Sequence, residues 1–494
     1  MGELLFHQRR ILSAAERTDG RLVEMDLSSA FGRILDAADG KAITILLDGN
    51  VPCEQMAAAA AWCKAWPQAK LCLAVAPADE QLLLGAEAGG AEYLPAQALS
   101  ECDGFVVIGD AFASNPTCAR GVFDRRKAEV RTPLVVIDPA AGTAAKFATH
   151  LVAAPADMEL AVLSAVAKAA GVDVKMPGAV PTAAVPSATS AGRAIAQCKR
   201  LGVLIAAEHG RSRAWRQIGY LAGQLAKALG GGLAPQTVGA NALAAVRLAA
   251  KLQTISLAEA MSPGAAVRVV IGCDVLGMLG WAKADVLAAA APLPNRTTDV
   301  ARVLLPAAMP GEYGGTYLLE GSRRVQVAPL AAAPKGVPTP GEIVAELAER
   351  AGVSRPDVSL RDGALERRSD KDLQPVPARE DQTGPVLLLA REAIHGGSDA
   401  LTAHASWQAA ARPVPQLRVS PVDAQKLRLS NLAEVTVSVG GNSVRARVRL
   451  APELPAGILA MSEGSAQARA LVPCAVDSDR RAVVAAPVSA SVSP

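Results

Sequence analysis

Short, nearly uninterrupted apolar runs recur along the first two thirds of the chain. They are Ala42-Ile43-Thr44-Ile45-Leu46-Leu47, Leu71 to Val75, Gly104 to Ile108, Pro133 to Ile137, Leu201 to Ile205, Val267 to Ile271 and Val303-Leu304-Leu305. Each has the length of a strand, and unbroken apolar character is what a strand buried on both faces requires. Helical periodicity lies between them: Leu27, Phe31, Ile34 and Leu35, then an Ala-rich stretch from Glu54 to Ala65, then Ala214 to Leu229 closed by Gly230-Gly231-Gly232. Strands alternating with helices predict parallel sheets covered on both sides. The last third changes period. Glu434 to Val439 and Ser443 to Leu450 alternate apolar and polar residues around Gly440-Gly441-Asn442, a strong hairpin signal. Pro385 to Leu389, Leu417 to Val419 and the stretch opening at Leu454 supply further strands.

The expected architecture is therefore α/β: two doubly wound parallel-sheet domains, then a β-barrel-like domain. The expected boundaries are 1–172 for the first, 173–192 for a linker rich in Pro and small residues, 193–330 for the second, 331–382 for a linker-rich segment with one helix near Gly341 to Ala351, and 383–494 for the barrel. A length of 494 residues allows about three domains. Apolar residues make up 51% and aromatics only 3%, so the core rests on Ala, Val and Leu. The formal charge of +3 is too small for a nucleic-acid partner. No apolar run of membrane-spanning length and no signal-peptide pattern is visible, which makes a cytoplasmic location the expectation.

Eight cysteines and five histidines are dispersed, without a C-x-x-C pair or an H-E-x-x-H spacing. Buried thiols explain them better than a metal or an iron–sulfur cluster. Candidate chemistry lies instead in loops at strand ends, where α/β folds place ligands. Gly109-Asp110 with Asn115-Pro116, Asp138-Pro139 through Thr143, and His209-Gly210-Arg211-Ser212-Arg213 are three such loops. A fourth runs from Pro306 through Glu312, Gly315, Thr316 and Tyr317 to Arg323, Arg324 and Gln326. His395-Gly396-Gly397-Ser398 follows a strand in the last domain. Asp138 also fits a capping residue, and Arg445, Arg447 and Arg449 share one face of a strand, as a solvated outer face would.

The stretch 299–326, with its G-T-Y and E-G-x-x-x-V-Q elements, resembles the molybdopterin oxidoreductase superfamily. Within it, two kinds of chain are similar: the stretch 299–326 leans to the first, and the loop Gly109-Asp110-Ala111-Phe112 with Asn115-Pro116 leans to the second. One is the large peripheral-arm subunit of respiratory complex I. The other is the formylmethanofuran dehydrogenase-like subunit of the bacterial formyltransferase/hydrolase complex. The resemblance implies a closing double-psi β-barrel, matched at Asp423, Ala424, Val435, Val437, Gly441 and Gly457. It also implies that Asn115, Asp138, Thr143, Glu312, Gly315, Thr316 and Arg324 line a vestigial cofactor cleft. The family's D-P-R-x-T motif has Ala140 where the arginine belongs, and Cys273-Asp274 replaces another cofactor-facing pair. The expectation is a retained fold without its cofactor, molybdopterin dinucleotide being the alternative. The implied role is a catalytically silent subunit of a hetero-oligomeric complex that handles formyl groups in one-carbon metabolism. Arg211, Arg213 and Arg323, with Arg324, are the expected contacts for a long anionic C1 carrier of methanofuran type. An active molybdopterin enzyme and a complex I-type subunit stay open as alternatives.

Overall fold

The computed structural model describes residues 2–140, 142–154, 156–173, 176, 186–264, 267–358, 365–366, 373, 384–390, 401–406, 415–464, 466–477 and 480–493. The loop His395-Gly396-Gly397-Ser398 and parts of both expected linkers lie outside the described residues.

The apolar runs form two sheets. One has six strands, all parallel, in the spatial order Glu92–Tyr93, Gly232–Gln236, Leu201–Ala206, Gly104–Ile108, Leu134–Ile137 and His150–Val152. The other has seven. Its parallel part runs Val303–Pro306, Ala288–Ala291, Val267–Ile271, Ile43–Asp48 and Ala69–Ala74, and an antiparallel hairpin, Ala14–Thr18 with Arg21–Met25, extends one edge. The central strands of both sheets are buried along nearly all of their length, as their unbroken apolar character requires.

This arrangement corrects the expected order of domains. The chain begins in the seven-stranded sheet, builds the six-stranded one on both sides of segment 173–192, and then returns at Val267 to complete the first. The expected linker thus falls inside one sheet's domain rather than between two. Its last part, moreover, begins the helix Pro186–Ile195, which packs on Glu159–Ala169. Proline and small residues signal a loop, but carry no information about which sheet edge the next strand joins.

Helices Pro77–Gly89 and Trp215–Ala228 pack closely against each other. Glycine makes the approach possible: a Cβ at Gly85 would stand 1.8 Å from the carbonyl oxygen of Arg216, and one at Gly219 would stand 2.4 Å from that of Leu82. The C-terminal residues form a mixed, nearly closed seven-stranded sheet built around Val386–Ala390, Ile458–Ser462, Gln416–Val419, Asn442–Leu450 and Glu434–Val439. Val444, Ala446 and Val448 point into its core while Arg445, Arg447 and Arg449 face outward, the alternation expected from the sequence.

Candidate functional site

The strands Gly104–Ile108, Leu134–Ile137 and Leu201–Ala206 end side by side, and their following loops converge. Each loop contributes carboxylates. Gly109, at φ +78°, turns the chain within 2.5 Å (measured from its would-be Cβ) of the Ala206 carbonyl, a conformation that suits glycine. Asp110 follows and caps the short helix Ala111–Ser114, accepting from the Ala113 amide at 3.3 Å and from the Thr143 amide at 2.6 Å. Asp138 accepts from the amides of Ala140 (2.9 Å) and Gly142 (2.6 Å), so it organises its own loop. From the third loop, Glu208 and Arg211 enter the same space.

Arg211 is 2% exposed and holds three carboxylates at once. Its Nε donates to Glu159 (3.1 Å), one Nη donates to Asp138 (3.1 Å), and the other donates to Glu208. The guanidinium is held more strongly protonated than usual, although burial alone opposes its charge. Burial pushes the Glu159 carboxyl up to about 7, against the opposing pull of Arg211, and its second oxygen has no hydrogen-bond partner among the described residues. Burial likewise raises Asp110, with Asp138 adding to the shift and the Thr143 amide resisting it.

Asp110, Asp138, Glu208 and Arg211 form the floor of a cleft of about 950 Å³ between the six-stranded sheet and the barrel. The barrel wall contributes Leu388, Leu389, Arg418, Arg449 and Glu453. Asp138 and Thr143 therefore lie together here. Asn115 does not join them: it caps the helix Pro116–Ala128 and lines a smaller cavity of about 330 Å³, with Gly239 and Arg323 on its other walls.

The remaining expected residues lie elsewhere. Gly315 and Thr316 open a hairpin, Gly315–Leu319 with Arg323–Val327, which clamps the start of the helix Cys53–Ala65 in the other α/β domain. The Thr316 amide donates to Glu54 at 2.8 Å, its hydroxyl contacts the same carboxylate, and the Leu318 amide donates to Asn241 at 2.9 Å. Gly315, at φ +149°, is required because a Cβ there would lie 2.5 Å from Pro52. Glu312 is buried in a fork with Arg10, 2.8 Å at the longer contact. Arg324 is exposed, near Glu54 and Cys53.

The four arginines expected to meet one polyanion are thus dispersed. Arg211 is neutralised within the fold, Arg213 is bound by Asp157 (Nε at 2.7 Å) in a separate small pocket, and Arg323 and Arg324 sit on the hairpin. The sequence displays the cations but not their counter-ions, because Asp138 and Glu159 are supplied from 73 and 52 residues away. The sequence pattern does not single out Glu159, Glu208 or Phe112, Phe123 and Phe147, the three rings that line the large cleft. A charged residue inside an apolar helical pattern, as Glu159 is before Leu160 and Val162, was the available signal.

No family model matches the chain, and no curated protein matches it. Among solved structures, acetylene hydratase from Pelobacter acetylenicus superposes with a TM-score of 0.70 over 99% of this chain and 93% of that one, at 10% identity. The two chains share one overall fold, mixed α/β with parallel sheets and a nearly closed barrel-like sheet. The residues present at the cleft floor do not fit the molybdopterin dinucleotide that the sequence resemblance leaves as an alternative. Ala140 leaves no guanidinium in the loop, and a phosphate at the floor would face Asp110, Asp138 and Glu208, with Arg211 already held by carboxylates. Cys53, which begins a helix at a strand end of the other sheet, has a thiol pushed up to about 11 by burial, so it stays protonated rather than presenting a thiolate. Among the described residues no three His, Cys, Asp or Glu side chains converge in a metal-binding arrangement, and no described helix is long and apolar enough to cross a membrane.

Proposed function

We propose that this chain is a non-redox scaffold subunit of a formyltransferase/hydrolase complex in one-carbon metabolism, with a body derived from the metal-bearing subunit of a formylmethanofuran dehydrogenase. Formyl transfer and hydrolysis fall to partner subunits. The observation that carries this reading is the internal neutralisation of Arg211 at the cleft floor. Arg211, a guanidinium placed to grip a phosphate there, is consumed by Asp138, Glu159 and Glu208. A guanidinium taken up by the fold's own carboxylates holds loops together and is not offered to a phosphate. The loss of the motif arginine at Ala140 points the same way. The reading also draws on the loop Gly109-Asp110-Ala111-Phe112 with Asn115-Pro116, whose resemblance leans to the formyl-transferring complex, whereas that of residues 299–326 leans to complex I.

The open cleft of about 950 Å³ is the observation that favours the alternative, a working molybdopterin enzyme. Purification from the native host followed by elemental analysis separates them. The scaffold reading expects formyl-transferring and hydrolytic subunits to co-purify, with molybdenum and tungsten well below one atom per chain. A stoichiometric metal with a releasable pterin overturns it. Co-purifying flavin and iron–sulfur subunits would assign the chain to a complex I-type assembly instead.

A further inference from the structure

The large cleft is polarised along its depth. Its buried lining groups, Asp110, Asp138 and Glu208 against Arg211, are predominantly acidic. Its more exposed rim carries Arg120, Lys127, Lys146, Arg418 and Arg449 against only Asp124 and Glu453 among the described residues. Arg418 is paired with Glu453 at 2.9 Å and Arg120 lies 3.6 Å from Asp124, which leaves Lys127, Lys146 and Arg449 as the surplus. Between floor and rim runs an aromatic wall. Phe112, Phe123 and Phe147 make successive edge-on contacts, with centroids 5.5 and 4.8 Å apart. The first ring is buried and the last is 43% exposed. These are three of only six phenylalanines in the chain, so half of a scarce resource lines one cleft. The barrel adds Leu388 and Ala390 to the apolar lining.

A phosphate cradle has the reverse polarity, with its cations and amides at depth. We propose that this cleft receives an amphiphilic anion: an aromatic or apolar body lies along Phe112, Phe123 and Phe147, and the negative groups remain at the mouth with Lys127, Lys146 and Arg449. Aromatic edges and faces favour a flat body, and the exposed lysines act as steering charges that salt weakens. The inference rests on the scaffold reading in one respect, that the cleft is free of a pterin, and it names the ligand class such a cleft takes: a flat apolar body bearing an exposed anionic group.

The test uses the purified full chain, anilinonaphthalene sulfonate as the amphiphilic probe, and inorganic pyrophosphate as the comparison, both by isothermal titration calorimetry. The expected result is one saturable probe site per chain and no comparable pyrophosphate binding. Affinity should fall about tenfold or more in Lys127→Glu/Lys146→Glu, and likewise in Phe147→Ala. Both changes are at exposed positions, and a thermal melt of each variant confirms an intact fold. Unchanged probe affinity in both variants overturns the proposal, as does pyrophosphate binding as tight as that of the probe. Metal and pterin analysis of the same preparation shows separately whether the scaffold reading has failed.

Discussion

Replacing Arg211 by methionine removes one guanidinium from among three buried carboxylates while keeping most of its volume. Its hydrogen bonds to Glu159 and Asp138, each 3.1 Å, and to Glu208 disappear with it. All four side chains are at most 2% exposed, so water does not replace what is removed. Breaking a buried ion pair from one side costs about 3–5 kcal/mol. Part of this is recovered because an uncompensated carboxyl takes up a proton. Glu159 stands at about 7 even with Arg211 present, and losing the guanidinium removes the charge that opposes that rise. The sign follows: the variant is penalised most where the acids are ionised. The penalty should be about 3 kcal/mol at about pH 8 and fall to less than half of that by about pH 5. Urea unfolding of both proteins at the two pH values, followed by tryptophan fluorescence, measures it. A loss below about 1 kcal/mol at the higher pH that does not change with pH would refute the reasoning, since the cluster would then not be electrostatically coupled.

The same burial that raises the Glu159 carboxyl from an ordinary 4.5 to about 7 makes the folded state hold a proton that the unfolded state has released. Stability should therefore decline as pH rises through that window, and Glu159→Gln should flatten the slope in a pH series of melts. Gly85→Ala places a Cβ 1.8 Å from the Arg216 carbonyl oxygen; separating two helices this way should cost about 1–3 kcal/mol or more, whereas Gly90→Asn, at an open left-handed cap, should cost less than about 1 kcal/mol, both read by thermal or urea unfolding. Arg10→Met leaves Glu312 buried at 3% side-chain exposure with the Met309 amide still donating to it at 2.8 Å. Its cost should be about 3 kcal/mol, and hydrogen exchange should rise in the segment 309–316 that Glu312 anchors.

The chain's own residues determined most of its secondary structure. Val267–Ile271 and Glu434–Val439 begin and end where their patterns predict, because a strand buried on both faces and one buried on a single face leave different periods in the sequence. Short or compositionally bland strands, such as Ala288–Ala291 and Glu92–Tyr93, left no such mark. Glycine loops and the missing arginine at Ala140 were also legible, since each depends on one residue's covalent nature. What tertiary structure alone decided is partnership. The seven-stranded sheet draws strands from both ends of the segment that builds the six-stranded one, which local pattern does not encode because sheet order is set by long-range packing. The fate of Arg211 was decided likewise: a guanidinium reads as an anion site until folding brings Asp138 and Glu159 against it. Charge is a property of the residue, but whether that charge is available depends on what burial places within about 3 Å of it.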